Sequence, residues 1–155
     1  MLLEGRTIVV SDRDSGLARA VIAACEREGA TVTSAMDHVD CLVLLCSDSN
    51  TSDLRARIET EVYAPLELTK HAVPLMKAQG RGSIVFVNAT ADAAAWGALY
   101  TGVQVLAKEL GPANVRVNTV VPAAGEPPDT VADVVVFFAS DLSAIVTGQS
   151  LVVSG

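Results

Sequence analysis

The 155-residue chain is poor in aromatic side chains and in positive charge. Aromatic residues make up 4% of the chain whereas half of it is hydrophobic, so smaller aliphatic side chains must build the core. That composition is typical of a sheet covered by helices on both faces. Eleven Lys and Arg against 18 Asp and Glu give a formal net charge of -7, and no basic run is present. This balance argues against a protein that binds nucleic acid.

Long apolar runs are also missing. The better candidates are interrupted by Asp40 and by Lys70 and Lys77, so no segment is predicted to span a bilayer. The N-terminus lacks the basic stretch and apolar core of a signal peptide. Three cysteines, an odd number without metal-ligand spacing, predict buried reduced thiols rather than a metal site. We therefore expect a cytoplasmic protein without a metal or a membrane contact.

Segments typical of strands and of helices alternate along the chain. The predicted strands cover residues 6–11, 30–34, 40–47, 82–89, 114–121 and 149–155. The predicted helices cover residues 15–29, 51–80, 96–111 and 129–141. Pro65 and Pro74 lie inside the second helix and should each kink it or remove a hydrogen bond. This alternation predicts one α/β domain over residues 1–155, with a doubly wound, mostly parallel sheet of about six strands.

Several phrases resemble the short-chain dehydrogenase/reductase family. "GRGSIVFVNA" resembles the strand that ends at the family's catalytic serine, and "LAKELGPANVRVNTVVP" resembles the phrase that runs into its sixth strand. "VADVVVFFASDLSAIVTGQSLVVSG" resembles the family's C-terminus, so the likeness covers almost the whole chain. The resemblance implies a Rossmann-like fold and an oxidoreductase that uses NAD or NADP. Relative to the family, the third-strand unit is reduced to "SAMDHV" and the substrate lid to "AAGEPPD".

The family's glycine-rich phosphate loop is only partly present. Its pattern Thr-Gly-x-x-x-Gly-x-Gly lets the backbone approach a pyrophosphate at a helix N-terminus. The matching positions hold Ser11, Asp12, Gly16 and Ala18, so Gly16 is the one glycine retained. The resemblance makes Ser11, Asp12, Arg13 and Gly16 the candidate cofactor-binding residues.

The charges of this loop oppose a pyrophosphate. Asp12 and Asp14 would place carboxylates beside it, and two unit charges about 4 Å apart repel by roughly 1 kcal/mol in water. Arg13 would offset part of that repulsion. Alternatively, Asp14 or Ser15 simply caps the first helix. Because the adenine pocket wall is missing as well, we expect no cofactor, or NAD or NADP if the chain is a residual reductase.

The family's catalytic Asn-Ser-Tyr-Lys set is not intact either. The asparagine position falls at Glu61, and the serine position falls at Ala89, next to the hydroxyl of Thr90. Depending on where a deletion of about ten residues is placed, the tyrosine falls at Asp92 or Tyr100.

With Tyr100 as the tyrosine, the lysine position holds Gln104, which cannot lower the pKa of a phenol electrostatically. The same position would hold arginine in the related halohydrin dehalogenases. Tyr100 could equally be a surface aromatic. Tyr100, Thr90, Asp92 and Glu61 are therefore the acid/base candidates.

Two hypotheses follow. The first is a catalytically degenerate relative that acts as a structural or partner subunit. The resemblance implies a homodimer, or a hetero-oligomer with a full-length family member, through helices near 52–79 and 96–111 and the C-terminal helix and strand 131–155. The second is a divergent enzyme, using non-redox acid/base chemistry or residual NAD(P)-dependent reduction, around Tyr100.

Overall fold

The computed structural model describes residues 1–155. Its six strands are β1 (Thr7–Val10), β2 (Thr31–Thr33), β3 (Cys41–Ser47), β4 (Gly82–Ala89), β5 (Val115–Pro122) and β6 (Ser150–Val153). Its helices are α1 (Gly16–Arg27), α2 (Leu54–Ile58), α3 (Ala64–Gln79), α4 (Ala93–Leu110) and α5 (Pro128–Ala139). Short 3-10 turns follow α4 and α5.

All six strands are parallel and lie in the order β2-β1-β3-β4-β5-β6. The chain leaves β1 for β2 on one side and then crosses to β3 on the other, so the topological switch point lies between β1 and β3. The predicted Rossmann-like fold, with about six strands and no extra third-strand unit, is confirmed. None of the helices is both long and apolar enough to cross a bilayer.

The sheet buries both of its faces. One face packs against α1 and α5, where Phe138 and Val21 are almost fully buried. The other packs against α3 and α4, where Phe86, Met76 and Leu99 have no exposed surface. Burying one such side chain stabilises the folded state by roughly 1.5–3 kcal/mol. The two helical layers therefore hold the sheet, and with it the carboxyl and amino ends of its strands, in place. All three cysteines are buried and free, as the sequence predicted.

The predicted helix 51–80 is present as one continuous helical run from Leu54 to Gln79, but it is not α-helical throughout. The structure has the short helix α2, then a π-helical turn over Glu59–Tyr63, and then α3. Pro65 lies in the first turn of α3, where its missing N–H is tolerated. Pro74 lies inside α3 without ending it. The π turn carries Glu61, one of the acid/base candidates.

Candidate functional site

The candidate site lies at the carboxyl edge of the sheet. In this fold, ligands bind in the crevice outside the carboxyl ends of the strands, next to the switch point. Here that crevice is bordered by the segments that follow β1, β3, β4 and β5, which are residues 11–15, 48–53, 90–92 and 123–127. Of the residues predicted from the sequence, Ser11, Asp12, Arg13, Thr90 and Asp92 lie in these segments, Gly16 begins α1, Glu61 lies in the helical turn after α2, and Tyr100 lies two turns further along α4.

The segment after β1 is closed by its own side chains. The Asp12 carboxylate accepts hydrogen bonds from the backbone N–H of Asp14 at 3.0 Å and of Ser15 at 3.3 Å. The Ser15 hydroxyl caps α1 by accepting from the N–H of Ala18 at 3.1 Å. Hydrogen bonds from Ser15 and from the Asp14 backbone lower the pKa of Asp12, so it stays ionised at neutral pH. Three amides at the start of α1 are thus already hydrogen-bonded.

The other predicted residues of this loop have separate positions. Ser11 ties the loop to the neighbouring strand, because its hydroxyl accepts from the N–H of Leu45 at 2.9 Å. Arg13 is exposed. Gly16 is the first residue of α1, and a Cβ placed there would meet open space. Packing therefore does not require a glycine at position 16.

Glu61 is the centre of a second hydrogen-bonded group at this edge. Its side chain is almost fully buried, and one carboxylate oxygen accepts from both the N–H and the hydroxyl of Ser49, each at 2.7 Å. The other oxygen accepts from the hydroxyl of Thr90. The structure therefore brings Glu61 and Thr90 into direct contact.

Asp92 joins this group through an arginine. Arg57 donates to the Asp92 carboxylate at 3.0 Å and lies 3.9 Å from the Glu61 carboxylate. Asp92 also caps α4 by accepting from the N–H groups of Ala94 and Ala95. Both of its carboxylate oxygens are therefore engaged in local structure.

Both carboxylates are held in the ionised form. Burial alone would raise the pKa of Glu61, but hydrogen bonds from Thr90 and Ser49 outweigh it, and the pKa lies below its usual value. The backbone N–H of Ala95 and the Arg57 guanidinium lower the pKa of Asp92. A general acid needs a pKa near neutrality, so neither group is suited to that role in this state.

Tyr100 lies apart from the other three candidates. It stands one helical turn along α4 from Trp96, with the two rings stacked at 5.1 Å between centroids and 11° between planes. Its hydroxyl makes no hydrogen bond to the chain, and about a third of its surface is exposed. It lines neither of the two clefts that contain Thr90 or Asp92.

A cleft of about 480 Å³ lies between the ends of β4 and β5. Its lining includes Asp48, Asn88, Thr90 and Trp96. Asn88 is 98% buried, and neither its amide nitrogen nor its amide oxygen has a hydrogen-bond partner. Buried amides are rarely left unsatisfied, so this side chain is available to a ligand or a water.

The sequence prediction missed several residues of this edge. Asp48 accepts from the Ala91 N–H at 2.7 Å, and its carboxylate lies 3.2 Å from the hydroxyl oxygen of Thr90. Ser49 and Arg57 hold Glu61 as described. A signal for Asp48 and Ser49 was present, since both follow a buried parallel strand directly and must lie at its carboxyl edge. Arg57 carried a weaker signal, an arginine four residues before a glutamate on a helix.

Comparison with known proteins agrees with this architecture. A family model described as enoyl-(acyl carrier protein) reductase matches residues 42–126. Trans-4-hydroxycyclohexanecarboxylate dehydrogenase of Sinomonas cyclohexanicum is 33% identical over an alignment of 138 positions that covers 70% of this chain and 53% of that protein. The chain therefore spans about half the length of that relative.

Solved structures share the fold over nearly the whole chain. A short-chain dehydrogenase/reductase family protein superposes with a TM-score of 0.83 at 25% identity, covering 99% of this chain and 97% of that one. Hydroxysteroid dehydrogenase from Escherichia coli superposes with a TM-score of 0.87 at 18% identity, covering 99% and 95%. The fold and the site edge define a Rossmann-type oxidoreductase-like protein. The chain belongs to the short-chain dehydrogenase/reductase family.

The family implies a nicotinamide dinucleotide, and the residues of the first loop do not fit one. A pyrophosphate in this fold is bound by free backbone N–H groups at the start of the first helix. Here the N–H groups of Asp14 and Ser15 already bond the Asp12 carboxylate, an anion of the chain itself. A pyrophosphate would have to displace Asp12 and would still meet its charge.

Proposed function

We propose that this chain is a non-catalytic member of the family that serves as a structural or partner subunit in an oligomer. The observation that carries the proposal is the bonding of Glu61. Its two carboxylate oxygens are both taken by Ser49 and Thr90, so the groups that match the family's catalytic positions form a closed hydrogen-bond network. Such a network stabilises the edge of the sheet and leaves neither oxygen of Glu61 free to exchange a proton with a substrate.

The position of Tyr100 supports the same proposal. A phenol acts as an acid/base near neutral pH only when a cation or a hydrogen-bond donor stabilises the phenolate. Tyr100 stacks on Trp96 and has no cationic side chain bonded to its hydroxyl, and the residue four positions on is Gln104. Thr90 donates to Glu61 and is therefore not free to orient a carbonyl.

The closed loop at Asp12 supports the absence of a bound NAD or NADP. Two amides that would bind a pyrophosphate are occupied, and the carboxylate that occupies them is ionised. A cytoplasmic location is also part of the proposal, because the three cysteines are free and buried, as is usual where thiols stay reduced.

Exposed apolar side chains support the proposed contact surfaces. In the helices within 52–79 and 96–111 they include Tyr63, Tyr100 and Val105. In the C-terminal segment 131–155 they include Ile145, at 98% exposure, and Val152, at 66%. Aromatic and aliphatic side chains of this kind are enriched at the centres of protein interfaces. We propose that these surfaces contact a second copy of the chain or a full-length family member.

A divergent enzyme is the second candidate, and the unsatisfied amide of Asn88 favours it. This amide lines a cleft with Trp96, whose indole offers a stacking surface, and with the Asp48 carboxylate. A small polar substrate could pair with the amide there. In this alternative, Tyr100 would have to turn toward the cleft to act on a substrate, either in non-redox acid/base chemistry or in residual NAD(P)-dependent reduction.

A cofactor titration separates the two candidates. We expect calorimetry with NADH and NADPH to show no binding at micromolar cofactor, and we expect no oxidation of either cofactor in the presence of carbonyl compounds. Micromolar binding of either cofactor would refute the proposal as stated. The Tyr100→Phe variant provides the control. Under the proposal, this variant and the unmodified chain give the same titration and the same absence of turnover. Under the alternative, the unmodified chain turns over a substrate and the variant does not.

The oligomeric state tests the subunit role. We expect light scattering after gel filtration to give at least a dimer, and we expect Val105→Glu on α4 to shift it toward monomer because it places a charge in the interface. Leu2→Glu is the matched control, since Leu2 is 45% exposed but lies outside the proposed surfaces. A monomer that also fails to associate with a full-length family member would contradict the proposal.

A further inference from the structure

A separate cleft lies at the opposite, amino edge of the sheet, and three arginines line it. Arg6 precedes β1, Arg81 precedes β4, and Arg116 is the second residue of β5. Because the strands are parallel, their amino ends meet at one edge, which brings the three guanidinium groups around a single cleft. Its volume is about 160 Å³.

Carboxylates only partly neutralise these arginines. Arg6 donates to Asp141 at 2.6 Å, and Arg81 donates to Asp40 at 3.0 Å. Each of these bonds uses one of the five N–H groups that a guanidinium carries. Asp141 is 83% exposed, so that pair is weakened by solvent. Two arginines therefore keep donors available at the cleft.

Arg116 has no carboxylate bonded to it. It donates instead to neutral oxygens: the backbone oxygens of Phe138, Ser140 and Ser143, and the Ser143 hydroxyl, over 2.6–3.2 Å. Burial and the nearby positive charge of Arg6 lower the pKa of Arg116, but the group remains a cation at neutral pH. Around this cleft, three arginines thus meet two bonded carboxylates, Asp40 and Asp141, which leaves a local excess of positive charge on a chain whose net charge is -7.

We infer that this cleft binds a phosphoryl group, either as inorganic phosphate or as a phosphate monoester. Planar guanidinium forks match the tetrahedral oxygens of phosphate and bind them by charge-assisted hydrogen bonds. The cleft has the volume of about five water molecules, and a phosphate ion has five non-hydrogen atoms. The Asn114 side chain at the rim donates to the Gly80 carbonyl and so helps to hold the turn before Arg81.

The inference is independent of the proposed subunit role. The cleft lies across the sheet from Asp12, Asp48, Glu61 and Asp92, whose charges repel anions from the carboxyl edge. An anion attracted to this protein is therefore directed to the amino edge. The site remains in place whether the carboxyl edge is catalytic or not.

Calorimetric titration with inorganic phosphate at pH 7 and constant ionic strength tests the site, with glycerol phosphate in a parallel titration. We expect one site with a dissociation constant of about 1 mM or below. Arg6→Gln should weaken binding at least about tenfold, because it removes a charged fork. Arg6→Lys should be intermediate, since it keeps the charge and loses the fork. Tighter binding of glycerol phosphate would identify a monoester as the preferred form.

Arg55→Gln is the matched control, because it removes the same charge from an exposed position in α2, away from the cleft. Its phosphate affinity should equal that of the unmodified chain. Arg6→Gln leaves only the exposed Asp141 without its partner, so it should fold, as circular dichroism can verify. The absence of saturable phosphate binding, or equal affinity in Arg6→Gln and Arg55→Gln, would overturn the inference.

Discussion

The two edges of the sheet differ in how their charged side chains are used. At the carboxyl edge, Asp12, Glu61 and Asp92 accept hydrogen bonds from the chain itself, and these bonds close the loops where family members hold their ligands. At the amino edge, Asp40 bonds Arg81, which keeps further N–H donors beside Arg6 and Arg116 around one cleft. The comparison shows that carboxylates can close loops at one edge of a sheet while arginines gather around a cleft at the other.

The largest effect should follow from Asp40→Asn at the amino edge. Asp40 is 1% exposed and accepts from the Thr7 N–H at 2.8 Å, from Arg81 at 3.0 Å and from His38 at 3.1 Å. An amide cannot serve all three donors, so we expect the free energy of unfolding to fall by about 3 kcal/mol. Urea denaturation measures this loss.

Asp37→Asn is the control for that experiment. Asp37 is exposed, and its carboxylate accepts only from the adjacent His38 N–H. Its stability should change by less than about 0.5 kcal/mol. Equal effects in the two variants would show that Asp40 does not organise the amino edge.

A smaller loss should follow from Glu61→Gln at the carboxyl edge. The glutamine amide can keep one acceptor oxygen but must place an NH₂ group against Ser49 or Thr90, both of which donate in the native structure. We expect a loss of about 2 kcal/mol in urea denaturation. Glu59→Gln on the same π turn is the control, because Glu59 is exposed. Unchanged stability in Glu61→Gln would mean that the network at this edge is not structural.

The pH dependence of stability should separate the same two variants. The folded-state pKa of Glu61 lies below its unfolded value of about 4.5, so the native state binds the proton less readily than the unfolded state does. Its stabilising contribution is complete above the unfolded pKa and is lost as the pH falls through the folded pKa. Glu61→Gln should therefore lose stability on acidification less steeply than Glu59→Gln, by at most about 1.4 kcal/mol per pH unit. Identical acid profiles would contradict the lowered pKa.

The sequence predicted the sheet well and the interior of the site poorly, for different physical reasons. Alternating apolar runs and helix caps mark strands and helices locally, and all six strands were found. The π turn at Glu61 was missed because it depends on packing and on the bonds to Ser49 and Thr90, which join distant segments. Tyr100 was grouped with Thr90 because alignment to a family orders residues along the chain and says nothing of which way a side chain faces.

The arginine cleft was missed although its signal was present. Arg6, Arg81 and Arg116 each lie at the start of a predicted strand, and parallel strands place their starts at one edge. Ligands in such folds bind at the carboxyl edge, so the sequence pattern directs attention there and away from these arginines. Charged residues at the amino ends of parallel strands are nevertheless a signal that they share one edge.

The smallest effect tests the closure of the first loop. Asp12→Ala removes the acceptor of the Asp14 and Ser15 amides, while the Ser15 cap of α1 stays in place. Since the two freed amides are exposed and can bond water, we expect a loss of only about 0.5 kcal/mol, measured by urea denaturation. Asp14→Ala removes an equal charge, but the Asp14 carboxylate makes no bond to the chain, so the stability of this variant should not change.

The amides freed in Asp12→Ala also form an anion-binding helix start. Asp12→Ala should therefore bind inorganic pyrophosphate more tightly than Asp14→Ala does. If both variants bind it equally, negative charge alone, and not occupation of the amides by Asp12, keeps anions from this edge.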